Sequence, residues 1–434
     1  MSELTMQEKG MSAKKAAITL SALDESQRNE ALKAIAEALN THRKEIAEAN
    51  RRDIARSKEE QLAAPLLSRL IFDYNEIDGV IEGIASLITL PDPLGHITLA
   101  TELDEGLDLY RVTSPIGVIG VIFESRPDAF VQIATLCLKS GNAILLKGGR
   151  EALETNRILY EVISEASEKA GVPHGWIQNM ESRDEVTEML ALSDCIDLII
   201  PRGSNEFVKY IMDHSNIPVM GHSDGICHLY IDGDADLEKA LAIAVDSKTQ
   251  YIAACNTLET LLVHRDVASR FLPEVFSALQ NKGVEVRGDE AVRNIVPTET
   301  ATEEDFKTEY LDLILSIKVV DHLQDAIDHI NTYGSGHTDA IVTENTEAQK
   351  TFLALVDSAC VFVNCSTRFS DGFRFGFGAE VGISTSKIHA RGPVGLDGLI
   401  SYKYQLIGHG DRVAPYADGE KTFTHRPLEN KKPF

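Results

Sequence analysis

Residues 246–264, DSKTQYIAACNTLETLLVH, place a cysteine directly before an apolar segment. Cys255 follows two alanines, and the apolar positions Leu258, Leu261 and Leu262 come after it. This pattern predicts a loop that carries a thiol at the mouth of a buried strand. Small neighbours would let a substrate approach the sulfur, and a thiolate is a strong nucleophile once the thiol pKa falls modestly from ~8.5. The alternative is a buried cysteine that acts as a small hydrophobic residue.

Three segments before this stretch repeat one plan, in which an apolar strand leads through a turn into a helix. They are IGVIGVIFESRPDAF (116–130), NAILLKGGREA (142–152) and DCIDLIIPRGSNEFVKYI (194–211). Alternating strands and helices predict an α/β fold with a parallel sheet covered by helices on both faces. Ligands bind such sheets at the carboxyl ends of the strands, where these turns lie.

The turn PRGSNE (201–206) is a candidate phosphate site, because the free N–H groups and the dipole of a helix N-terminus attract anions. An N-cap formed by Ser204 is the alternative role of this turn. The chain contains no GxGxxG segment, so the common dinucleotide fingerprint is missing. The residue pattern alone is therefore not sufficient to predict a nicotinamide cofactor.

The regions on either side of this core have their own patterns. Residues 1–96 predict helices, because apolar residues recur at helical spacing from Leu32 to Ile46. Residues 97–112 alternate and predict a hairpin with its turn near Gly106. Residues 400–407, ISYKYQLI, alternate apolar and polar side chains and predict a half-buried strand.

The segment 361–398 is rich in glycine, which predicts irregular backbone close to a ligand or to another chain. It carries three arginines, Arg368, Arg374 and Arg391, in an otherwise acidic protein. Guanidinium groups bind carboxylates and phosphates in a two-pronged geometry, so these residues are candidates for holding an anionic substrate. Pairing of each arginine with a surface acid is the alternative.

Composition limits the classes of function. The formal charge of -25 over 434 residues argues against nucleic acids and anionic membranes as partners, because their phosphates would be repelled. The six cysteines show no CxxC pair and no spacing typical of metal ligands, so we expect no metal site and no disulfide framework. No apolar leader is visible at the N-terminus and no apolar run could span a bilayer, so we expect a cytoplasmic protein.

Five stretches together resemble the gamma-glutamyl phosphate reductase family, a branch of the aldehyde dehydrogenase superfamily. They are SPIGVIGVIFESRPD (114–128), NAILLKGGREA (142–152), IPRGSNE (200–206), YIAACNTLETLLVH (251–264) and FRFGFGAEVGISTSKIHARGPVGLDGL (373–399). Their order and spacing match the family over roughly residues 110–400. The resemblance implies that Cys255 is catalytic.

The resemblance also implies a reaction, the NADPH-dependent reduction of L-glutamyl 5-phosphate to L-glutamate 5-semialdehyde in proline biosynthesis. Cys255 would attack the acyl carbon and expel phosphate, and hydride would then reduce the thioester. The backbone N–H of Cys255 would stabilise the oxyanion, with Ser125 or Arg126 as the second donor or as a phosphate ligand. Arg368 and Arg374 are the candidates for binding the substrate. Another thiol-dependent aldehyde or acyl-CoA dehydrogenase of the superfamily is the alternative.

Further positions acquire roles from the same resemblance. Lys147 matches the cofactor lysine, and Arg150 stands three residues later, where NAD-preferring relatives have a glutamate; its charge would suit the 2′-phosphate of NADPH. Gly203 and Ser204 match the pyrophosphate turn, and Glu309 matches a ribose-binding glutamate. Gly221 stands where oxidising relatives carry the glutamate that activates water, so phosphate rather than water would exchange with the thioester.

The implied architecture is a doubly wound parallel-sheet cofactor domain, a smaller α/β catalytic domain and a β oligomerisation element. We assign the cofactor domain to residues 1–96 and 113–245, the catalytic domain to 246–398, and the oligomerisation element with its tail to 97–112 and 399–434. We expect a homo-oligomer in which strand 400–407 pairs with another subunit, an internal edge strand in a monomer being the alternative. A separate glutamate 5-kinase is the implied partner, because an acyl phosphate is labile.

Overall fold

The computed structural model describes residues 4–124, 126–182, 184–203, 205–221, 224–378 and 380–429. The chain forms two compact units, and each is considered by itself. The first unit contains residues up to 203, residues 211–219 and residues from 395 onward; the second contains the other described residues. Within the described residues, no helix combines the length and the apolar character needed to cross a membrane.

The α-helices of the described residues are numbered α1 to α15 in chain order. They are α1 (Met6–Leu20), α2 (Glu25–Thr41), α3 (Arg43–Glu59), α4 (Ala64–Leu70), α5 (Tyr74–Thr89), α6 (Pro127–Lys139), α7 (Leu153–Lys169), α8 (Asp184–Leu190), α9 (Asn205–His214), α10 (Leu237–Thr249), α11 (Arg265–Gln280), α12 (Glu290–Arg293), α13 (Leu323–Tyr333), α14 (Thr346–Leu355) and α15 (Ala414–Ala417).

The strands are numbered in the same way. They are β1 (Ile97–Asp104), β2 (Leu107–Pro115), β3 (Val118–Phe123), β4 (Ala143–Lys147), β5 (Ile177–Met180), β6 (Leu198–Arg202), β7 (Cys227–Ile231), β8 (Leu258–His264), β9 (Glu285–Gly288), β10 (Glu299–Thr300), β11 (Ile314–Val320), β12 (Thr338–Val342), β13 (Cys360–Val363), β14 (Gly382–Ser384), β15 (Gly392–Val394), β16 (Ile400–Ile407) and β17 (Arg426–Pro427).

The first unit is built around a four-stranded parallel sheet in the order β5-β4-β3-β6. The order reverses between β3 and β6, so the turns after β4 and β6 lie at the carboxyl edge on either side of β3. The predicted N-terminal helices are confirmed: α2 begins at the N-cap Asp24, and its apolar face is fully buried. The predicted α/β fold is confirmed as well.

A second sheet of the first unit has the antiparallel order β16-β2-β1-β17. The predicted hairpin is present, with β1 and β2 joined at Gly106, which has a positive φ of 75°. Strand β16 forms where it was predicted and pairs with β2 along its full length. The prediction that it is half-buried is wrong, since both faces are exposed from residue 401 to residue 406.

The second unit contains a seven-stranded parallel sheet in the order β10-β9-β11-β8-β7-β12-β13. Its core packs α10 and α11 against β8 and the neighbouring strands. The observed boundary between the units precedes the predicted one at residue 245. The physical reason is that β7 pairs with both β8 and β12 in the middle of this sheet, so β7 and α10 belong to the second unit.

Candidate active site

Cys255 lies in the second unit, in the loop that connects α10 to β8. The residue is half-buried, whereas Cys137, Cys195, Cys227 and Cys360 are buried. The loop enters β8 at its amino end, so the thiol does not lie at the carboxyl edge where ligands usually bind parallel sheets. A half-buried thiol in a loop can be reached by a small substrate while the strand behind it holds its position.

Hydrogen bonds hold this loop on both sides of the thiol. Asn256 donates from Nδ2 to the carbonyl of Ser370 at 2.7 Å, and Thr367 donates from Oγ1 to the carbonyl of Asn256 at 2.7 Å. Thr257 donates from Oγ1 to the carbonyl of Tyr251 at 2.7 Å, and all three donors are buried. These contacts fix the backbone next to the nucleophile, which supports a preorganised site.

His337 is a side chain that reaches the thiol. Its Nε2 lies 3.2 Å from Sγ of Cys255, and its imidazole is fully buried. On the other side of the ring, Nδ1 lies 2.8 Å from Oγ1 of Thr338 and 3.8 Å from Sγ of Cys227. The thiol therefore has a titratable nitrogen within hydrogen-bond distance. The sequence interpretation did not select His337.

A signal for His337 exists in the sequence. Residues 334–339, GSGHTD, are polar and rich in glycine, and an apolar strand follows them, as it follows the Cys255 loop. Strands β8, β7 and β12 are adjacent and parallel, so the loops before β8 and β12 lie at the same edge of the sheet. Comparing the residues that precede each strand, rather than those that follow it, brings Cys255 and His337 together.

Gly225 is a second residue that the sequence interpretation did not select. A Cβ at this position would lie 2.0 Å from the carbonyl oxygen of Cys255 and 2.6 Å from its Cα. The backbone before β7 therefore passes against the nucleophile loop at a distance that excludes any side chain. Cys227, two residues later, donates from Sγ to the same carbonyl at 3.2 Å.

Arg368 supplies positive charge to this site. It is 7% exposed, and its Nε donates to Oε1 of Gln250 at 3.0 Å. Its Nη1 is buried and has no hydrogen-bond partner among the described residues. Burial lowers the pKa of Arg368, as does the charge of Arg374, while the charge of a Cys255 thiolate raises it. A buried guanidinium with an open donor close to the thiol is suited to an anionic substrate.

The other two arginines of the glycine-rich segment differ from Arg368. Arg374 is exposed and donates from Nη1 to the carbonyl of Arg368, so it lies beside the same site. Arg391 pairs with Asp357 at 3.1 Å, which is the structural alternative considered for these arginines. Arg368 and Arg374 are therefore the two arginines that the structure brings to the Cys255 region.

Lys147 and Arg150 lie in the first unit, at the end of β4 and in the short turn after it. Lys147 is buried, and its Nζ donates to the carbonyl of Gly148 at 2.6 Å. The side chain of Arg150 is 80% exposed and forms an ion pair with Glu60 at 3.3 Å. The Arg150 guanidinium is thus open to solvent at the carboxyl edge of the sheet.

Gly203 directly follows β6 at the same carboxyl edge and is exposed. Arg126 precedes α6 and pairs with Asp128 at 2.8 Å. Ser125 and Ser204, the two serines predicted near an oxyanion and near the pyrophosphate turn, lie outside the described residues.

Glu309 lies in the second unit, ahead of β11. Asn205, the first residue of α9, donates from Nδ2 to Glu309 at 2.7 Å and to Asp224 at 2.8 Å. Burial raises the pKa of Glu309, and the hydrogen bond from Asn205 opposes that shift. Gly221 is buried, and its carbonyl accepts a hydrogen bond from the N–H of Thr385, so this position presents backbone and no carboxylate.

Comparisons with known proteins identify relatives of the chain. Residues 5–294 match the model of the aldehyde dehydrogenase family. Gamma-glutamyl phosphate reductase of Acetivibrio thermocellus is 60% identical over 431 residues, which cover 99% of this chain and 100% of that protein. The same enzyme of Pelotomaculum thermopropionicum is 60% identical over 425 residues, 98% of each chain. The crystal structure of gamma-glutamyl phosphate reductase from Thermotoga maritima is 43% identical, with a TM-score of 0.92 over 94% of this chain and 99% of that one.

Proposed function

The chain belongs to the aldehyde dehydrogenase family and, within it, to the gamma-glutamyl phosphate reductases, and we propose that it reduces L-glutamyl 5-phosphate to L-glutamate 5-semialdehyde and phosphate with NADPH. The observation that carries this proposal is the combination of the half-buried Cys255 thiol with the buried, incompletely bonded Arg368. A nucleophile next to an anion-binding donor suits an anionic acyl phosphate.

In this mechanism the Cys255 thiolate attacks the acyl carbon, a carbon–sulfur bond forms, and the carbon–oxygen bond to phosphate breaks. The cofactor, when bound, supplies the hydride that reduces the thioester. Collapse of the resulting thiohemiacetal releases the semialdehyde and returns the thiolate. The backbone N–H of Cys255 is the proposed first donor to the oxyanion, and Arg126 or Ser125 is the proposed second donor or phosphate ligand.

Arg368 and Arg374 are the proposed ligands of the substrate's anionic groups. Arg368 is the better placed for a permanent contact, because its Nη1 is already desolvated and lacks a partner among the described residues. Arg374 is exposed beside Arg368 and is the proposed ligand on the solvent side. The backbone at Gly221 leaves no carboxylate there to activate water, which favours phosphate as the partner of the thioester.

The residues proposed for the cofactor fit a phosphorylated dinucleotide. Lys147 and Gly203 lie at one carboxyl edge of the first unit's sheet, where nucleotides bind doubly wound folds. Arg150 offers an exposed guanidinium in the turn after β4, as recognition of a 2′-phosphate requires. In the second unit, Glu309 would bind ribose hydroxyls, with Asn205 fixing its orientation, and Ser204 would complete the pyrophosphate turn.

Further properties follow from the same proposal. The enzyme would act in the cytoplasm as a homo-oligomer, in the second step of proline biosynthesis. A glutamate 5-kinase would supply its acyl phosphate, because that compound must be made and used within its short lifetime. The cofactor site would be contributed by residues 1–96 and 113–245, apart from the β7–α10 region, which packs with the second unit. Residues 246–398 would contribute the thiol.

The test is the reverse reaction, with glutamate 5-semialdehyde and NADP⁺, followed by absorbance of NADPH with and without inorganic phosphate. We expect NADPH to form only with phosphate, because no carboxylate at Gly221 activates water. The matched control is Cys255→Ser, which should show no phosphate-dependent rate. Equal rates with and without phosphate would mean that water resolves the thioester, and the proposal would fail.

A further inference from the structure

His337 is placed to exchange a proton with the nucleophile. Its Nε2 lies 3.2 Å from Sγ of Cys255, a normal hydrogen-bond distance when sulfur is one partner. The ring is fully buried and its orientation is fixed by neighbours on β7 and β12. A fixed imidazole in contact with a thiol is the arrangement that activates a cysteine nucleophile.

The tautomer of the ring decides whether Nε2 can take a proton from the thiol. Oγ1 of Thr338 lies 2.8 Å from Nδ1 and can accept a hydrogen bond from it. In the tautomer that carries its proton on Nδ1, the Thr338 hydroxyl accepts that hydrogen bond and Nε2 keeps its lone pair. Nε2 then presents its lone pair to the Cys255 thiol, so the proton of that thiol can pass to the ring.

We propose, on the basis of the proposed function, that His337 takes the proton of the Cys255 thiol and delivers it to the phosphate that leaves during acylation. Proton transfer from Sγ to Nε2 gives a thiolate and an imidazolium. As the carbon–sulfur bond forms and the carbon–oxygen bond breaks, the imidazolium proton passes to the departing phosphate oxygen. The net reduction consumes one proton, so His337 is reprotonated from solvent after the thiolate is regenerated.

The charges that face this pair come from several elements. Arg368 stabilises a Cys255 thiolate by charge, and it is the competing explanation for an activated thiol. Burial raises the pKa of the neighbouring Cys227 thiol, and the charges of Asp339 on β12, Cys255 and Glu259 on β8 add to that shift. The observation that supports His337 as the base is its 3.2 Å contact with the Cys255 thiol.

The experiment measures alkylation of Cys255 by iodoacetamide across pH 5.5–10, with the Cys255 peptide quantified by mass spectrometry, in wild type, His337→Gln and Arg368→Gln. Glutamine keeps the polar volume of the side chain and cannot accept a proton at neutral pH. We expect alkylation of His337→Gln at pH 6.5 to fall at least about tenfold and to reach the wild-type rate near pH 10. Recovery at high pH shows that the variant is folded and that its thiol is accessible.

An unchanged pH profile in His337→Gln, or a shift in Arg368→Gln alone, would overturn the proposal. The acid role has its own readout, because at pH 9.5 the variant has its thiolate but lacks the proton donor. We expect the phosphate-dependent rate of His337→Gln to stay at least about tenfold low there, and full recovery would overturn the acid role. A shifted alkylation profile in a protein whose wild type lacks phosphate-dependent turnover would refute the proposed function and leave the thiol–histidine pair standing.

Discussion

Arg368 provides a test of substrate binding at the level of a single side chain. Replacing it with methionine should raise the KM for phosphate in the reverse reaction by about 10- to 100-fold, because a hydrogen bond to a charged group contributes about 1.5–3 kcal/mol. Stability should change little, since the variant loses a buried cation whose Nη1 has no partner among the described residues. Steady-state kinetics and a thermal melt measure the two effects.

The matched control for this prediction is Arg391→Met. Arg391 lies in the same glycine-rich segment and pairs with Asp357. We expect its loss to leave the KM for phosphate within about twofold of wild type, since its guanidinium already pairs with Asp357 and a partly exposed ion pair contributes at most about 1 kcal/mol. If the two variants changed KM equally, Arg368 would have no special role in binding.

Arg150 provides a second test, of cofactor choice. Arg150→Glu should lower kcat/KM for NADP⁺ by at least about tenfold and leave or improve that for NAD⁺, because a carboxylate repels a 2′-phosphate and accepts from a ribose hydroxyl. The side chain is 80% exposed, so folding should be unaffected. Initial rates with both cofactors decide the matter, and an unchanged preference would remove Arg150 from the cofactor site.

The residues around Cys255 in the sequence predicted the candidate nucleophile, but they did not predict its contact with His337. Cys255 stands out because small and polar residues surround it directly before an apolar strand. His337 is 82 positions away. It reaches the thiol because β8 and β12 lie on either side of β7, so the loops before them meet at one edge of the sheet. The polar, glycine-rich residues before β12 mark His337 as a candidate, but the order of the strands in the sheet, which the spacing along the chain does not give, is needed to pair it with Cys255.

A buried ion pair joins α10 to β8. Lys248 donates to Glu259 at 2.7 Å, both side chains are buried, and the Cys255 loop runs between them. Burial raises the pKa of Glu259 to about 7 and lowers that of Lys248. Lys248→Met should cost about 3–5 kcal/mol in free energy of unfolding, because it leaves Glu259 buried without its cation.

The matched variant is the double replacement Lys248→Met with Glu259→Leu. Removing both charges should recover most of the lost stability, since apolar side chains of similar volume replace a buried pair at little cost. Urea denaturation of the three proteins gives the comparison. A double variant as unstable as the single one would show that the pair contributes through its specific geometry rather than through unpaired charge.

Elements were predicted where one physical signal dominates. The strands β3, β4 and β6 are continuous apolar runs, and their turns begin with glycine or polar residues, so their positions follow from the sequence. Strand β16 shows the limit of the same argument. Its alternation of Ile400, Tyr402 and Tyr404 predicted one buried face, but the strand lies at the edge of a sheet whose faces leave it exposed.

For the whole molecule, the position of the division between units depended on strand pairing. The architecture implied by the family resemblance assigned residues 113–245 to the cofactor domain and residues 246–398 to the catalytic domain. The second unit instead takes β7 as a central strand, because parallel pairing with β8 and β12 satisfies both of its edges. Strands that are far apart in the chain pair because whole sheets pack together, and a short stretch of sequence does not contain that information.

The exposed edge of β16 gives the prediction for assembly. Tyr402, Tyr404 and Leu406 are each more than half exposed, and β16 pairs on one side only, with β2. An open edge that carries large apolar side chains favours pairing with another subunit. Replacing Tyr404 and Leu406 with lysine should therefore reduce the molar mass measured by light scattering. The smaller species should remain folded, which a thermal melt checks. The control is Lys403→Glu, a change on the same strand that removes no apolar side chain. If wild type, the lysine variant and this control had equal molar masses, any subunit contact would lie elsewhere.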